Sequence, residues 1–222
     1  MSTLLITILP SILIILFFVK SDRFPEPTSE IIKVFFYGIL LCIPAFYINT
    51  ALKDIYSNMN IDDALVSSFL SAAPVEEVLK FTVLYSLVYK MKDFNEPIDG
   101  IVYGVSVSLG FATLENIYYV YVLSDYFGTT SQGLAILRSF SAIPAHGIFG
   151  ATMGYFFMKY TFIKKENNLA LCMIVPILLH GAYNYFAYNF FIIALLIVII
   201  SWIVLIRAFS RLKKSQKRKR KE

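Results

Sequence analysis

Asn167-Asn168-Leu169-Ala170-Leu171-Cys172-Met173-Ile174-Val175-Pro176-Ile177-Leu178-Leu179-His180, continuing through Gly181-Ala182-Tyr183-Asn184 to Ile206, contains no Asp, Glu, Lys or Arg. As a single helix, residues 167–206 would be about 60 Å long, roughly twice the hydrocarbon thickness of a bilayer. The stretch must therefore turn back on itself, and Tyr188-Asn189 is the expected turn. The rest of the chain agrees, being 58% apolar and only 16% charged over 222 residues. A soluble domain of that size has too little interior for so much apolar surface.

The expected fold is all-α, a polytopic transmembrane helix bundle. About seven spans are predicted near residues 3–19, 33–52, 63–89, 98–122, 134–158, 168–187 and 190–207. They form one membrane domain over 1–207, followed by a basic tail over 208–222. The first apolar run lacks a basic leader and a small-residue cleavage site, so it is read as a helix. Asp22-Arg23-Phe24-Pro25-Glu26-Pro27 should be a stiff extended link between the first two spans. Cys42 and Cys172 fall inside apolar runs and imply no disulfide framework.

The net charge of +5 is unevenly spread: Arg207–Glu222 alone carries +8, leaving −3 for the remainder. Directly after an apolar run, such a tail reads as a cytoplasmic anchor on anionic lipid. Nucleic acid is not expected, because no aromatic or glycine pattern accompanies the basic residues. With the N-terminus outside, the inner loops hold Lys20, Arg23, Lys33, Lys90, Lys92, Lys159, Lys164, Lys165 and the tail, against Lys53 and Arg138 outside. That asymmetry places the C-terminus in the cytoplasm.

Ionisable groups at bilayer depth are costly, about 2.5–3.5 kcal/mol each on insertion scales. The third span nevertheless carries Pro74-Val75-Glu76-Glu77-Val78-Leu79-Lys80, the fourth Phe111-Ala112-Thr113-Leu114-Glu115-Asn116, the fifth His146, and the sixth His180 with Asn184 one turn on. His146 and His180 are the two histidines of the chain. Glu76 and Lys80 share a helix face and can pair, while Glu77 points about 100° away. Pro74, Pro144 and Pro176 precede Glu76, His146 and His180 by two, two and four residues. Each removes a backbone hydrogen bond, which membrane helices tolerate beside other protein or water.

Each feature also has a structural reading. Glu76 and Lys80 can form an ion pair that serves packing, a membrane histidine can simply link helices, Phe111 can be core, and Gly150 with Gly154 makes a small-residue packing face. A glutamate-and-histidine set on successive spans is a functional site by default, because each member carries its own burial cost. Counted from the proposed outer face, Glu76, Glu115, His146 and His180 lie at comparable depth, roughly 12–20 Å in.

The set suits peptide hydrolysis. A desolvated carboxylate serves as general base toward water, and histidine or asparagine N–H groups stabilise an oxyanion. Alternatively, His146 and His180 with Glu115 or Glu76 supply the two imidazoles and carboxylate of a catalytic zinc shell. No G-x-S-x-G motif and no H-E-x-x-H signature is present.

Glu76-Glu77-x-x-Lys80, Phe111-x-x-x-Glu115-Asn116, His146-x-x-x-Gly150 and His180-x-x-x-Asn184, in this order, resemble the PrsW family of intramembrane proteases, as does the Pro25-Glu26-Pro27 loop. The likeness covers nearly the whole chain. It implies a multi-pass protein of a bacterial plasma membrane. Its implied activity is site-1 cleavage of a single-span anti-sigma factor on the extracytoplasmic side, which regulates sigma factor release in a stress response. Carried over, the functional positions are Glu76, Glu77, Glu115, His146 and His180, with Lys80, Asn184, Asn116 and Phe111 in support. The related prenyl endopeptidases place an arginine four residues after the second glutamate and a histidine at the end of the Phe motif. Lys80 and Glu115 depart from both, which favours PrsW. Family members are also classed as metalloproteases, so zinc stays open as cofactor. The reading taken is a glutamate-activated water, Glu76 or Glu77 as base and His180 as oxyanion donor. The rivals are an ion-coupled transporter or channel, whose paired broken helices are not found, and a non-catalytic membrane scaffold.

Overall fold

The computed structural model describes residues 2–57, 61–164 and 166–219. Lys165 and residues 220–222, which enter the charge count above, lie outside the described residues. The regular elements are all helical: α1 (Thr3–Ser21), α2 (Thr28–Tyr56), α3 (Asp63–Leu65), α4 (Ala73–Ser86), α5 (Pro97–Val122), α6 (Ser131–Phe140), α7 (Ala142–Ile163), α8 (Asn167–Asn189) and α9 (Phe191–Lys219). A π-helical stretch, Val66–Ala72, joins α3 to α4.

The boundaries follow local chemistry. The Ser2 side chain caps α1 by accepting from the Leu5 N–H at 3.4 Å. At the start of α5, Glu96 and Asp99 form a capping box with Pro97 in the first turn. The link between α1 and α2 is extended at Asp22 but bends at Arg23 and Phe24, where the Phe24 N–H turns back to Asp22 Oδ1, and α8 ends at Asn189 with Phe190 making the turn into α9. The basic segment continues α9 beyond residue 207 as far as Lys219.

Among the described residues, six helical segments are long and apolar enough to cross a membrane: α1, α2, α5, α6 with α7, α8, and α9. The expected span at 63–89 is absent from that set for two reasons. Asp63, Glu76, Glu77 and Lys80 lower its hydropathy, and the π-helical stretch divides it. The wider turn lies where Pro74 lacks an N–H and its ring would clash with the carbonyl of Leu70 in a regular α-helix. The span expected at 134–158 is likewise divided, at Ser141. Pro144, three residues later, cannot continue α6 into α7.

Helix α5 is the central element, buried along most of its length between α2 and α7. Its approach to α7 needs glycine on both sides. A Cβ at Gly104 would collide with the Gly150 carbonyl, and one at Gly154 with the Gly100 carbonyl. The small-residue face expected from Gly150 and Gly154 is therefore in use, matched by Gly100 and Gly104. On the outside of the bundle, α1, α2 and α9 expose Leu13, Phe17, Ile32, Phe36, Ile199 and Val204, as a lipid-facing surface requires.

Two substitutions in α7 and α5 test this packing. Gly104→Ala should destabilise the bundle by about 1–3 kcal/mol, because its neighbour is backbone and cannot give way. Gly147→Ala, whose Cβ would meet side chains no closer than 3.5 Å, should leave stability within about 0.5 kcal/mol. Unfolding in detergent measures both, and equal effects would contradict the contact.

Candidate functional site

The first turns of α4 bring Glu76 and Glu77 inward, and Lys80 follows one turn later; all are buried. Glu115 lies on α5 two turns before its end, His146 in the first turns of α7 beyond Pro144, and His180 on α8 one turn beyond Pro176. The Ser108 hydroxyl of α5 donates to the His146 carbonyl at 2.7 Å, fixing that backbone against α5.

These side chains form one continuous polar chain inside the bundle. Arg138 of α6 donates to the Glu115 carboxylate at 2.8 Å. His146 Nε2 lies 3.1 Å from that same carboxylate oxygen. Lys80 Nζ lies 3.2 Å from His146 Nδ1 and 2.7 Å from Glu77 Oε1. His180 Nδ1 is 2.8 Å from Glu77 Oε1, which leaves His180 Nε2 3.9 Å from Glu76 Oε2. The partners assign the tautomers. The Lys80 ammonium donates into His146 Nδ1, so Nε2–H donates to Glu115. Glu77 accepts from His180 Nδ1–H, so Nε2 presents a lone pair toward Glu76.

With both imidazoles neutral and all three carboxylates ionised, Glu76, Glu77 and Glu115 would outnumber Lys80 and Arg138 by one charge. Glu76 is the carboxylate left over. Among the described residues its nearest cation, Lys80, stands 3.8 Å away, and its Oε2 is buried without a hydrogen-bond partner. One ligand atom each from Glu76, His146 and His180 lie within 4.8 Å of one another. Two imidazoles and a carboxylate that lacks a close cation are a donor set that fits a divalent cation. A cation taken by His146 competes with Lys80 at Nδ1 or with Glu115 at Nε2. Of the two carboxylates considered as ligands, Glu76 is the one grouped with both histidines, whereas Glu115 is engaged by Arg138.

The supporting residues divide. Phe111 is core, and its ring also faces Lys80 Nζ at 4.4 Å from the centroid. Asn116 holds Arg138 by accepting from Nε at 2.7 Å and anchors to the Thr7 carbonyl through Nδ2 at 2.9 Å. Asn184 is half-buried one turn beyond His180, and makes no hydrogen bond to the cluster among the described residues. Glu26 of the Pro-Glu-Pro loop belongs elsewhere, accepting from the Tyr103 hydroxyl at 2.7 Å.

Sequence reasoning missed two participants. Arg138 entered only as an outer-loop charge, yet it pairs with Glu115 and stacks 3.8 Å over the Tyr119 ring. Its signal was a lone arginine at the edge of an apolar run, in a face otherwise nearly free of basic residues. Phe149 stacks on the His180 ring at 4.7 Å and 16° between planes. It sits three residues after His146, and only the fold shows that it touches His180.

Residues 26–208 match the model of the PrsW family intramembrane metalloproteases. Protease PrsW of Oceanobacillus iheyensis is 34% identical over 94% of this chain and 93% of its own length. Protease PrsW of Clostridioides difficile is 36% identical over 89% and 86%, and that of Bacillus subtilis 36% over 80% and 79%. No solved structure matches the chain.

Lys80 offers a direct test of the polar chain. Lys80→Met leaves Glu77 buried without its cation and should lower stability by about 3–5 kcal/mol. Adding Glu77→Gln should recover part of that loss, as a double-mutant cycle in detergent unfolding would read. Additive losses would show that the pair does not interact.

Proposed function

The chain belongs to the PrsW family of intramembrane proteases, and from that membership and its buried cluster we propose that it cuts a single-span anti-sigma factor on the extracytoplasmic side of the bacterial plasma membrane. It is a peptidase of the multi-pass, membrane-embedded kind, so the transporter and scaffold readings fall away. The observation that supports the site is the face between Glu76 Oε2 and His180 Nε2, 3.9 Å apart, where the carboxylate oxygen has no hydrogen-bond partner among the described residues. A water placed there meets a carboxylate and an imidazole lone pair together.

In this reading Glu76, His146 and His180 hold a divalent cation, zinc being the natural candidate for that donor set. Bound there, the ion would lower the pKa of a water and polarise the scissile carbonyl. The orientation of His180 favours this over the metal-free alternative. With Nδ1–H given to Glu77, Nε2 is an acceptor rather than an oxyanion donor. Glu77 keeps the His180 ring in place, and Glu115, braced by Arg138, does the same for His146. With Glu76 given to the ion, Glu77 still has one buried oxygen without a partner among the described residues, and it would take the water's proton and return it to the leaving amine.

Counting the divided segment from Asp63 to Ser86 as a crossing gives seven spans, with the N-terminus outside and the C-terminus cytoplasmic. The lysine and arginine asymmetry supports this orientation. Glu115 and Arg138 then lie toward the outer leaflet, and the pocket opens to that side.

Glu76→Gln, Glu77→Gln and His180→Ala should each reduce cleavage of a co-expressed single-span substrate by about 100-fold or more, with folded protein retained in the membrane. His146→Ala and His180→Ala should also lose the ion that elemental analysis finds in the parent. Full activity in the glutamate and His180 variants, or an active parent free of metal, would overturn the respective assignments.

The terminus created in the substrate should fall in its extracytoplasmic juxtamembrane segment or the outer half of its span. Mass spectrometry of the fragment locates it, and a cytoplasmic cut would refute the topology or the site.

A further inference from the structure

Away from the protease cluster, at the other end of α1, the structure has a cavity of about 350 Å³ lined by Lys20, Ser21, Asp22, Arg23 and Lys213. Three of those five side chains are cationic. Asp22 is the single carboxylate among the described lining residues, and it is buried: its Oδ1 accepts from Gln216 Nε2 at 2.9 Å and from the Phe24 N–H at 3.1 Å, while its Oδ2 has no hydrogen-bond partner among the described residues. Gln216 Nε2 also reaches Glu96 Oε2 at 2.6 Å. The wall formed by the end of α9 is thus tied to the α1–α2 link and to the start of α5. Arg23 lies over the Phe24 ring, 5.6 Å from its centroid.

A second cavity, of about 280 Å³, lies on the same two helices and is lined by Leu13, Ile14, Phe17, Trp202 and Ile206. It contains no charged group. On α1 it precedes the basic cavity by one to two turns, and on α9 by about two, so the two cavities follow one another along a single seam. Phe18 wedges that seam, with its ring 6.0 Å from Trp202 and 5.0 Å from Phe209. The helices are thereby joined through aromatic rings, and their lipid-facing side is left grooved.

We propose that this seam is a binding site for one anionic phospholipid. The phosphodiester sits among Lys20, Arg23 and Lys213, and an acyl chain lies in the groove of Leu13, Phe17, Trp202 and Ile206. The juxtaposition decides the occupant. A basic pocket alone would accept any phosphate, and an apolar groove alone any lipid chain, but a phosphate directly above an apolar groove at a helix end is phospholipid geometry. An anionic headgroup is favoured over a zwitterionic one, because Lys20, Arg23 and Lys213 outnumber the one carboxylate of the lining, Asp22.

The chain carries its own reporter, since Trp202 is its one tryptophan. The full-length protein in nanodiscs should be quenched more by phosphatidylglycerol brominated on its acyl chains than by equally brominated phosphatidylcholine at the same mole fraction. Lys20→Gln/Arg23→Gln/Lys213→Gln should abolish the difference, at about fivefold in local lipid preference per charge removed. A control with Lys217, Arg218, Lys219, Arg220 and Lys221 changed to glutamine should keep it. Inorganic phosphate should not reverse the quenching, because the chain as well as the headgroup is held. Equal quenching by the two lipids overturns the proposal without any variant. So does a difference that survives the triple substitution, or one that follows the tail substitutions.

Discussion

An ammonium group with no access to water organises the centre of this molecule. Lys80 is completely buried, and a bare cation in such a place is not tolerated, so its surroundings must supply charge and lone pairs. They do so from separate helices: Glu77 on its own turn, the Nδ1 of His146 on α7, and the ring face of Phe111 on α5. Each of these commitments fixes something further. Glu77, held by Lys80, is in place to hold His180, and His146, capped at Nδ1, turns its other nitrogen to Glu115. Glu76 is left with Lys80 no nearer than 3.8 Å and with its Oε2 unpartnered among the described residues.

That arrangement requires the backbones to come close. Short side chains such as Glu and His span a helix interface only when nothing bulky separates the helices, and α5 and α7 achieve this by placing glycine against glycine carbonyl. The Ser108 hydroxyl on the His146 carbonyl extends the same contact up to the site. Packing and chemistry here share one surface: the glycines set the distance at which the ionisable groups then meet.

Much of this was legible in the sequence because bilayer burial makes polarity conspicuous. The uncharged run 167–206 announced two helices, and its turn was placed within a residue or two of Phe190. Glu76, Glu77, Glu115, His146 and His180 stood out against apolar neighbours, and the structure brings all of them into one cluster. Periodicity conveys the face of a helix but not the identity of its neighbour. It could not show that Asn116 serves Arg138, or that Phe149 stacks on a histidine from another helix. It could not choose between Glu76 and Glu115 as the partner of both imidazoles either. Prolines were visible as interruptions, yet whether one yields a π-helical stretch, as before Pro74, or a break, as before Pro144, depends on what surrounds it.

The π-helical stretch Val66–Ala72 has a consequence for register. Hydrogen bonds to the fifth residue rather than the fourth accommodate more chain per turn, so such a stretch behaves like an insertion in an otherwise regular helix. Everything before it is rotated relative to everything after it. Asp63 and Leu65 therefore need not face the side that the phase of Glu76 would dictate. Sequence drift in the first part of the segment is mechanically insulated from the face that carries Glu76 and Glu77, as an offset coupling insulates one shaft from the misalignment of another. Removing one residue from the stretch would close it to regular α geometry while the portions on either side keep the faces that they present now.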